Sequence, residues 1–304
     1  MSLGCNCDSG LSNTGRPNCV PIQSVTSKLI LVPLKANDGT LNLIDLTQPV
    51  PNWLDLVNEA DASKRWFPLP PFENVELPKA DTTFEEANSG RMVFIRQGKR
   101  SFAGELWSED SSPTLLGKLQ NNRCVDFGIF IVDVNGNLVG SKGKSMYMGT
   151  EIDVLYPIPV DNPSFDPKYM FATDTTTSKI MVAFDFDRLF DESTMYMVTP
   201  TEAGINFNEL EGLVDVNFIN PVETLSLITF DAVLDYGTAF NPIKFIGATT
   251  ADFQLSDVTG ILTPISVAEN VDGNYTLTFA FTAGTIYTIT IIKTGFTGSY
   301  TWTA

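Results

Sequence analysis

Asp185, Asp187, Asp191 and Glu192 fall within the run Asp-Phe-Asp-Arg-Leu-Phe-Asp-Glu, directly after an apolar, strand-like segment. Alternation puts Asp185 and Asp187 on one strand face, where two carboxylates could hold a calcium ion or serve as a glycosidase pair. Arg188 supplies a local counter-charge, and the plainer expectation is a solvated strand end and turn. Asp133-Val134-Asn135-Gly136-Asn137 has some features of a calcium loop, but its glycine comes too early and no glutamate follows at the twelfth position. It reads as a turn. Gly140-Ser141-Lys142-Gly143-Lys144-Ser145 has the look of a phosphate loop, yet the position that needs the first glycine is Leu138 and no helix pattern follows.

The chain contains no histidine. That removes Ser-His-Asp and Cys-His hydrolases, His-ligated zinc, and any imidazole base or pH switch. Of the four cysteines, Cys5, Cys7 and Cys19 lie in a Gly/Ser/Asn-rich arm, and Cys124 stands far downstream behind Arg123. A thiolate zinc site would need all four together, and the Cys-x-Cys spacing differs from the usual knuckle. Reduced thiols are the expectation, with Cys124 a buried structural thiol. No catalytic residue, cofactor or metal site is assigned from the sequence.

The 304 residues carry 36 Asp and Glu against 19 Lys and Arg, a net charge of −17. This balance argues against a nucleic-acid binder, which needs clustered cations for phosphate. The 43% hydrophobic share is ample for real cores. No stretch approaches the length of a transmembrane helix, and the first residues show no secretory signal, so no membrane partner is expected. The charge is unevenly placed. Residues 91–144 hold eight Lys and Arg against five Asp and Glu, a balance of +3 that leaves −20 for the rest.

The elements that must position these groups are mainly strands. Leu29 to Leu34 is an apolar strand candidate, and Val125 to Val134 is apolar on both alternating faces, as a central strand would be. Arg91 to Gln97 is expected to pair with Arg100 to Trp107 across a Gly98-Lys99 turn, forming a basic hairpin. Ser112-Pro113, ahead of Leu115, Leu116 and Leu119, predicts a capped short helix. Asn135-Gly136 predicts a second hairpin turn, and strands are expected at Lys179 to Phe186, Met195 to Val198 and Leu213 to Asn220. The Pro- and aromatic-rich segment 48–77, with Trp53 and Trp66, is expected to pack across onto a neighbouring subunit. From Glu223 onward, about seven alternating strands such as Tyr275-Thr276-Leu277 and Tyr287-Thr288-Ile289 predict an immunoglobulin-like sandwich with no cystine bridge.

The fold class read from this pattern is mainly β. It has an α+β body of antiparallel sheets with one or two short helices (24–222), a flexible Cys-containing arm before it (1–23), and the immunoglobulin-like sandwich after it (223–304). Arg91, Arg96, Lys99, Arg100, Trp53 and Trp66 are the candidate subunit-interface residues.

On the hairpin–helix–strand order of Arg91 to Gly140 and the Thr-rich sandwich, the chain resembles virion structural proteins of tailed bacteriophages. More narrowly, it resembles tail-tube or neck-ring subunits with an immunoglobulin-like domain, such as those of crAss-like phages. The resemblance implies a non-enzymatic subunit made in the bacterial host cytoplasm and located in the virion. It also implies rings of six or twelve copies, contact with other tail, neck or portal proteins, and transient passage of DNA without specific binding. An acidic lumen would then repel phosphate and let DNA slide. Two alternatives remain from other classes: a surface decoration or glycan- and host-attachment protein acting through the sandwich, and a cell-wall hydrolase using Asp185 and Asp187.

Overall fold

Phe127–Asp133 is the middle strand of the body, and all seven of its residues are buried. One edge pairs along its length with Thr26–Pro33, from Asp133 opposite Thr26 to Phe127 opposite Pro33. The other edge is shared, Leu138–Tyr147 taking Ile131 and Val132 and Ile158–Pro159 taking Gly128 and Ile129. Leu138–Tyr147 then continues beside Thr150–Tyr156, which carries Ile44–Asp45 on its far edge, while Met195–Val198 pairs with the opening of the same long strand. These positions belong to a computed structural model that describes residues 22–47, 51–107, 110–147, 149–188, 190–263 and 265–304. The chain is mainly β, with antiparallel sheets and few short helices.

Side chains alternate across a strand, so a strand with two apolar sets needs two covers. Phe127, Ile129 and Ile131, with Leu29 and Leu31, face a second sheet ordered Lys168–Met170, Lys179–Asp185, Ser101–Trp107, Glu73–Glu76. That sheet supplies Phe102, Leu106, Ile180, Val182 and Phe184. The helix Pro113–Asn121 adds Leu119; Ser112 caps it by accepting from the Leu115 amide at 3.1 Å, and Pro113 opens it. Phe130 and Val132, with Ile30 and Val32, face the opposite way onto Trp53, Val57, Trp66, Phe207 and Leu210.

Trp53 and Trp66 therefore pack at home, which corrects the expectation that they reach a neighbour. They are 5% and 4% exposed, 5.7 Å apart between ring centroids, with Trp53 against Phe207 and Trp66 against Phe130 at 4.9 Å each. The Trp53 indole donates to the Ala203 carbonyl at 2.9 Å, which removes the cost of burying its N–H. Below them, the buried Asp133 carboxylate accepts from the amides of Ser24, Asn135 and Asn137 and from the Asn137 side chain. The Asn-Gly hairpin turn forms as expected, with Gly136 at φ +78° and too close to the Asn206 side chain for a Cβ.

The C-terminal sandwich places Gly260–Leu262, Phe253–Asp257, Ile286–Ile291 and Phe296–Thr303 in one sheet. The other runs Ser266–Val271, Asn274–Thr278, Leu227–Leu234, Val214–Glu223, with Ile243–Lys244 also paired to Leu227–Leu234. The first strand spans both sheets, because Val214 and Asp215 pair in parallel with Phe296 and Thr297 before the remainder turns to Leu227–Leu234. This is the strand order of an immunoglobulin-like fold. The chain enters it at Val214, earlier than the expected boundary at Glu223, and Gly260–Leu262 and Ser266–Val271 are short strands in opposite sheets. Phe230, Tyr275 and Leu277 meet Leu255, Tyr287, Ile289 and Trp302 in a core with no cystine. The Tyr287 hydroxyl accepts from the Thr282 amide at 2.9 Å, pinning the turn that precedes its strand.

Lys118 joins the two halves. From the body's helix it reaches Asp215 at 2.6 Å and Asp235 at 3.1 Å, and it lies 5.0 Å from the centre of the Tyr236 ring. Burial opposes its charge, but the two carboxylates outweigh that and hold its pKa above the usual lysine value. Truncating Phe130 to alanine removes the ring that meets Trp66 and should cost the body about 3–5 kcal/mol. In urea unfolding, the Phe130→Ala body transition moves to lower denaturant while the sandwich transition stays in place.

Candidate assembly site

The hairpin expected between Arg91–Gln97 and Arg100–Trp107 is not the one that forms. Ser101–Trp107 lies inside the body, between Lys179–Asp185 and Glu73–Glu76. Met92–Arg96 pairs instead with Thr83–Glu86, whose short acidic sequence carries no strand signal, and among the described residues this sheet holds these two strands alone. A turn closes it, with the Ala87 amide on the Arg91 carbonyl at 2.9 Å and Gly90 at φ +78°. Gly98 is a crossing point rather than a turn, since a Cβ there would sit 1.6 Å from the Ala80 carbonyl oxygen.

This arm exposes apolar surface on both faces. Phe84, Met92 and Phe94 share one face, with the two phenyl rings 6.0 Å apart edge to face, and Val93 and Ile95 lie on the other. All five are between 47% and 57% exposed. A two-stranded hairpin without a third strand or a packing partner is marginally stable in water. Among the described residues nothing covers these five side chains.

Its root is firmly held. The two legs exchange backbone hydrogen bonds, Ala80 amide to Lys99 carbonyl and Ser101 amide to Pro78 carbonyl. Glu192 bridges them, accepting from Arg100 at 2.8 Å and Lys79 at 2.9 Å. Those two contacts, Arg100's the larger, hold the Glu192 carboxyl below its ordinary 4.5 against the opposing effect of burial. Lys99 sits between Asp161 and Asp185; burial works against its charge, but both carboxylates raise its pKa above 10.5. Between the arm and Phe186, Phe190 and Arg188 opens a cleft of about 790 Å³.

The positive balance of 91–144 is largely consumed inside the chain. Lys99, Arg100, Lys118, Arg123, Lys142 and Lys144 all hold carboxylates within 4 Å. Among the described residues, Arg91 and Arg96 form no ion pair; the Arg96 Nε donates only a long bond to the Thr83 hydroxyl, at 3.4 Å. Of the six interface candidates, the fold thus puts Arg91 and Arg96 on the arm, Lys99 and Arg100 at its root in ion pairs, and Trp53 and Trp66 in the core.

The other candidates for chemistry are spent on structure. Asp185 accepts from Ser101 at 2.6 Å and pairs with Lys99 at 2.9 Å. Burial raises its pKa, but those partners bring it below 3.8, so at neutral pH it has no proton to give as a general acid. Gly140 to Ser145 is strand, not loop. Cys124 is exposed rather than buried, and Cys5, Cys7 and Cys19 lie outside the described residues. Among the described residues no group of three or more Cys, Asp or Glu side chains could hold a metal ion, and no helix is long and apolar enough to cross a membrane. Comparison of the chain with protein-family models, curated proteins and solved structures found no match.

A carboxyl depressed in the folded state contributes stability above its unfolded pKa and loses it as pH falls through the folded value. Glu192→Gln should therefore speed amide exchange in the arm's legs, 78–82 and 97–101, at neutral pH. The difference from the parent shrinks on acidification below about 4.5, as followed by hydrogen–deuterium exchange across pH.

Proposed function

We propose that this chain is a non-enzymatic structural subunit of a tailed-bacteriophage virion, assembling with its own copies into a ring or tube of the tail or neck that conducts DNA. The observation that carries the reading is the arm Thr83–Arg96, an anchored hairpin with large apolar side chains open on both faces. Surface of that kind on a rigid root belongs to an interface. A body whose reactive groups are held in ion pairs and turns, and a sandwich attached through Lys118, agree with a building part rather than a catalyst. The net charge of −17 fits a conduit that DNA passes without adhering.

A second reading, attachment of the sandwich to glycans or to a host surface, draws on Phe240, whose side chain is fully exposed at the tip of the loop between Leu227–Leu234 and Ile243–Lys244. The sandwich exposes other apolar side chains too, Ile243, Ile246 and Val258 among them, but none is carried on an anchored two-stranded arm like Thr83–Arg96.

Size-exclusion chromatography with light scattering and negative-stain microscopy tests the assembly. The full chain should form closed rings or short tubes. Replacing 84–94 with a short Gly-Ser turn should leave monomers whose thermal unfolding matches that of the parent. A full chain that stays monomeric and binds a glycan array through Phe240 would overturn the reading in favour of the second.

A further inference from the structure

Glu85 and Glu86 lie on one strand of the arm; Arg96 ends the other strand, and Arg91 directly precedes it at the closing turn. None of the four forms an ion pair within the described residues, in a chain where most cations do. Among the described residues both strands are edges, since their sheet contains no third strand. Each edge leaves a row of backbone N–H and C=O groups able to pair with another chain.

Charge decides which pairings are allowed. Two copies meeting through the same edge would set Glu85 and Glu86 against their own counterparts, or arginine against arginine, and like charges opposite one another are destabilising. The acidic edge of one copy against the basic edge of the next is the attractive arrangement. Hairpins joined this way keep strands alternating in direction, so every new pairing is antiparallel. On the arm's own register, Glu85 is opposite Val93, and Arg96 is opposite Thr83, two residues toward the root. A neighbouring strand at the same level would put its Glu85 diagonal to both Arg91 and Arg96, a separation long side chains span. The exposed faces Phe84–Met92–Phe94 and Val93–Ile95 would then continue from copy to copy as two apolar stripes.

We propose that the arm of one copy extends the arm of the next through strand addition, acidic edge to basic edge. This inference rests on the assembly reading above and names the contact that performs it. The contact joins two different surfaces, so it is heterologous: it repeats without a two-fold axis and ends only when a ring closes. The same charges that forbid isolated two-fold pairs of arms therefore select a head-to-tail repeat, the kind of contact a ring is built from.

Three variants test it, each first shown to melt like the parent. Glu85→Lys with Glu86→Lys makes both edges basic, and Arg91→Glu with Arg96→Glu makes both acidic. Each alone should require roughly tenfold or more protein to assemble, read by light scattering. An equimolar mixture of the two should restore rings, and so should one chain carrying all four changes. The proposal is overturned if either charge variant alone assembles like the parent, or if the mixture stays monomeric. The first of these results, with the 84–94 replacement still abolishing rings, leaves the arm as the assembly element and removes only the edge pairing. If the replacement also assembles normally, the assembly reading falls with it.

Discussion

Every residue of Phe127–Asp133 is buried, and that constraint organises the body around it. A strand with one wet face can be served by a single layer. This one demands two, because Ile129 and Ile131 point to one side and Phe130 and Val132 to the other. The first cover is a sheet, assembled from strands as distant in sequence as Glu73–Glu76 and Lys179–Asp185. The second is made from irregular chain: a five-residue helix at Trp53–Val57, the short strand Phe67–Pro68, and the turns around Phe207. Irregular backbone brings polar groups with it, which is why the Trp53 indole, the Asn208 side chain and the Lys28 ammonium all end on backbone carbonyls at this boundary. Burial lowers the Lys28 pKa, and its two carbonyl acceptors take the place of water.

Electrostatics then arranges what the core leaves free. Carboxylates outnumber cations nearly two to one, so most lysines and arginines find a partner, and the pairs concentrate where segments meet. Glu192 ties the two legs of the arm, Asp161 and Asp185 hold its root to the body, and Lys118 fixes the sandwich. Single ion pairs at this exposure contribute little to global stability. Their effect is positional, fixing the root of the apolar arm against the body.

Much of the fold is legible in the residues. Two interleaved apolar sets at 127–132 announce a central strand, Ser112-Pro113 announces a helix start, and alternation across 275–291 announces the sandwich. Strand partners are less legible, because alternation marks a strand without naming its neighbour. Gly98-Lys99 has the composition of a hairpin turn, yet Gly98 is there to let two legs cross. Thr83–Glu86 is too short and too acidic to attract notice, and it became the partner of Met92–Arg96. Trp53 and Trp66 advertise burial equally well for a contact inside the subunit or between subunits. The positive window 91–144 misled for a different reason: every carboxylate that its lysines and arginines hold, from Glu151 to Asp235, lies outside that window. Charge counted along a sequence is not charge as a neighbour meets it.

The sandwich is closed by rings and aliphatic side chains alone, and from Val214 to Ala304 the chain contains no cysteine, methionine or histidine. It therefore has no sulfur to oxidise and no group whose ordinary pKa lies between about pH 5 and 8. Such a unit does not register the difference between a reducing, crowded interior and an oxidising, dilute exterior. Its folded shape would be the same in either surrounding, with no chemical step needed to harden it.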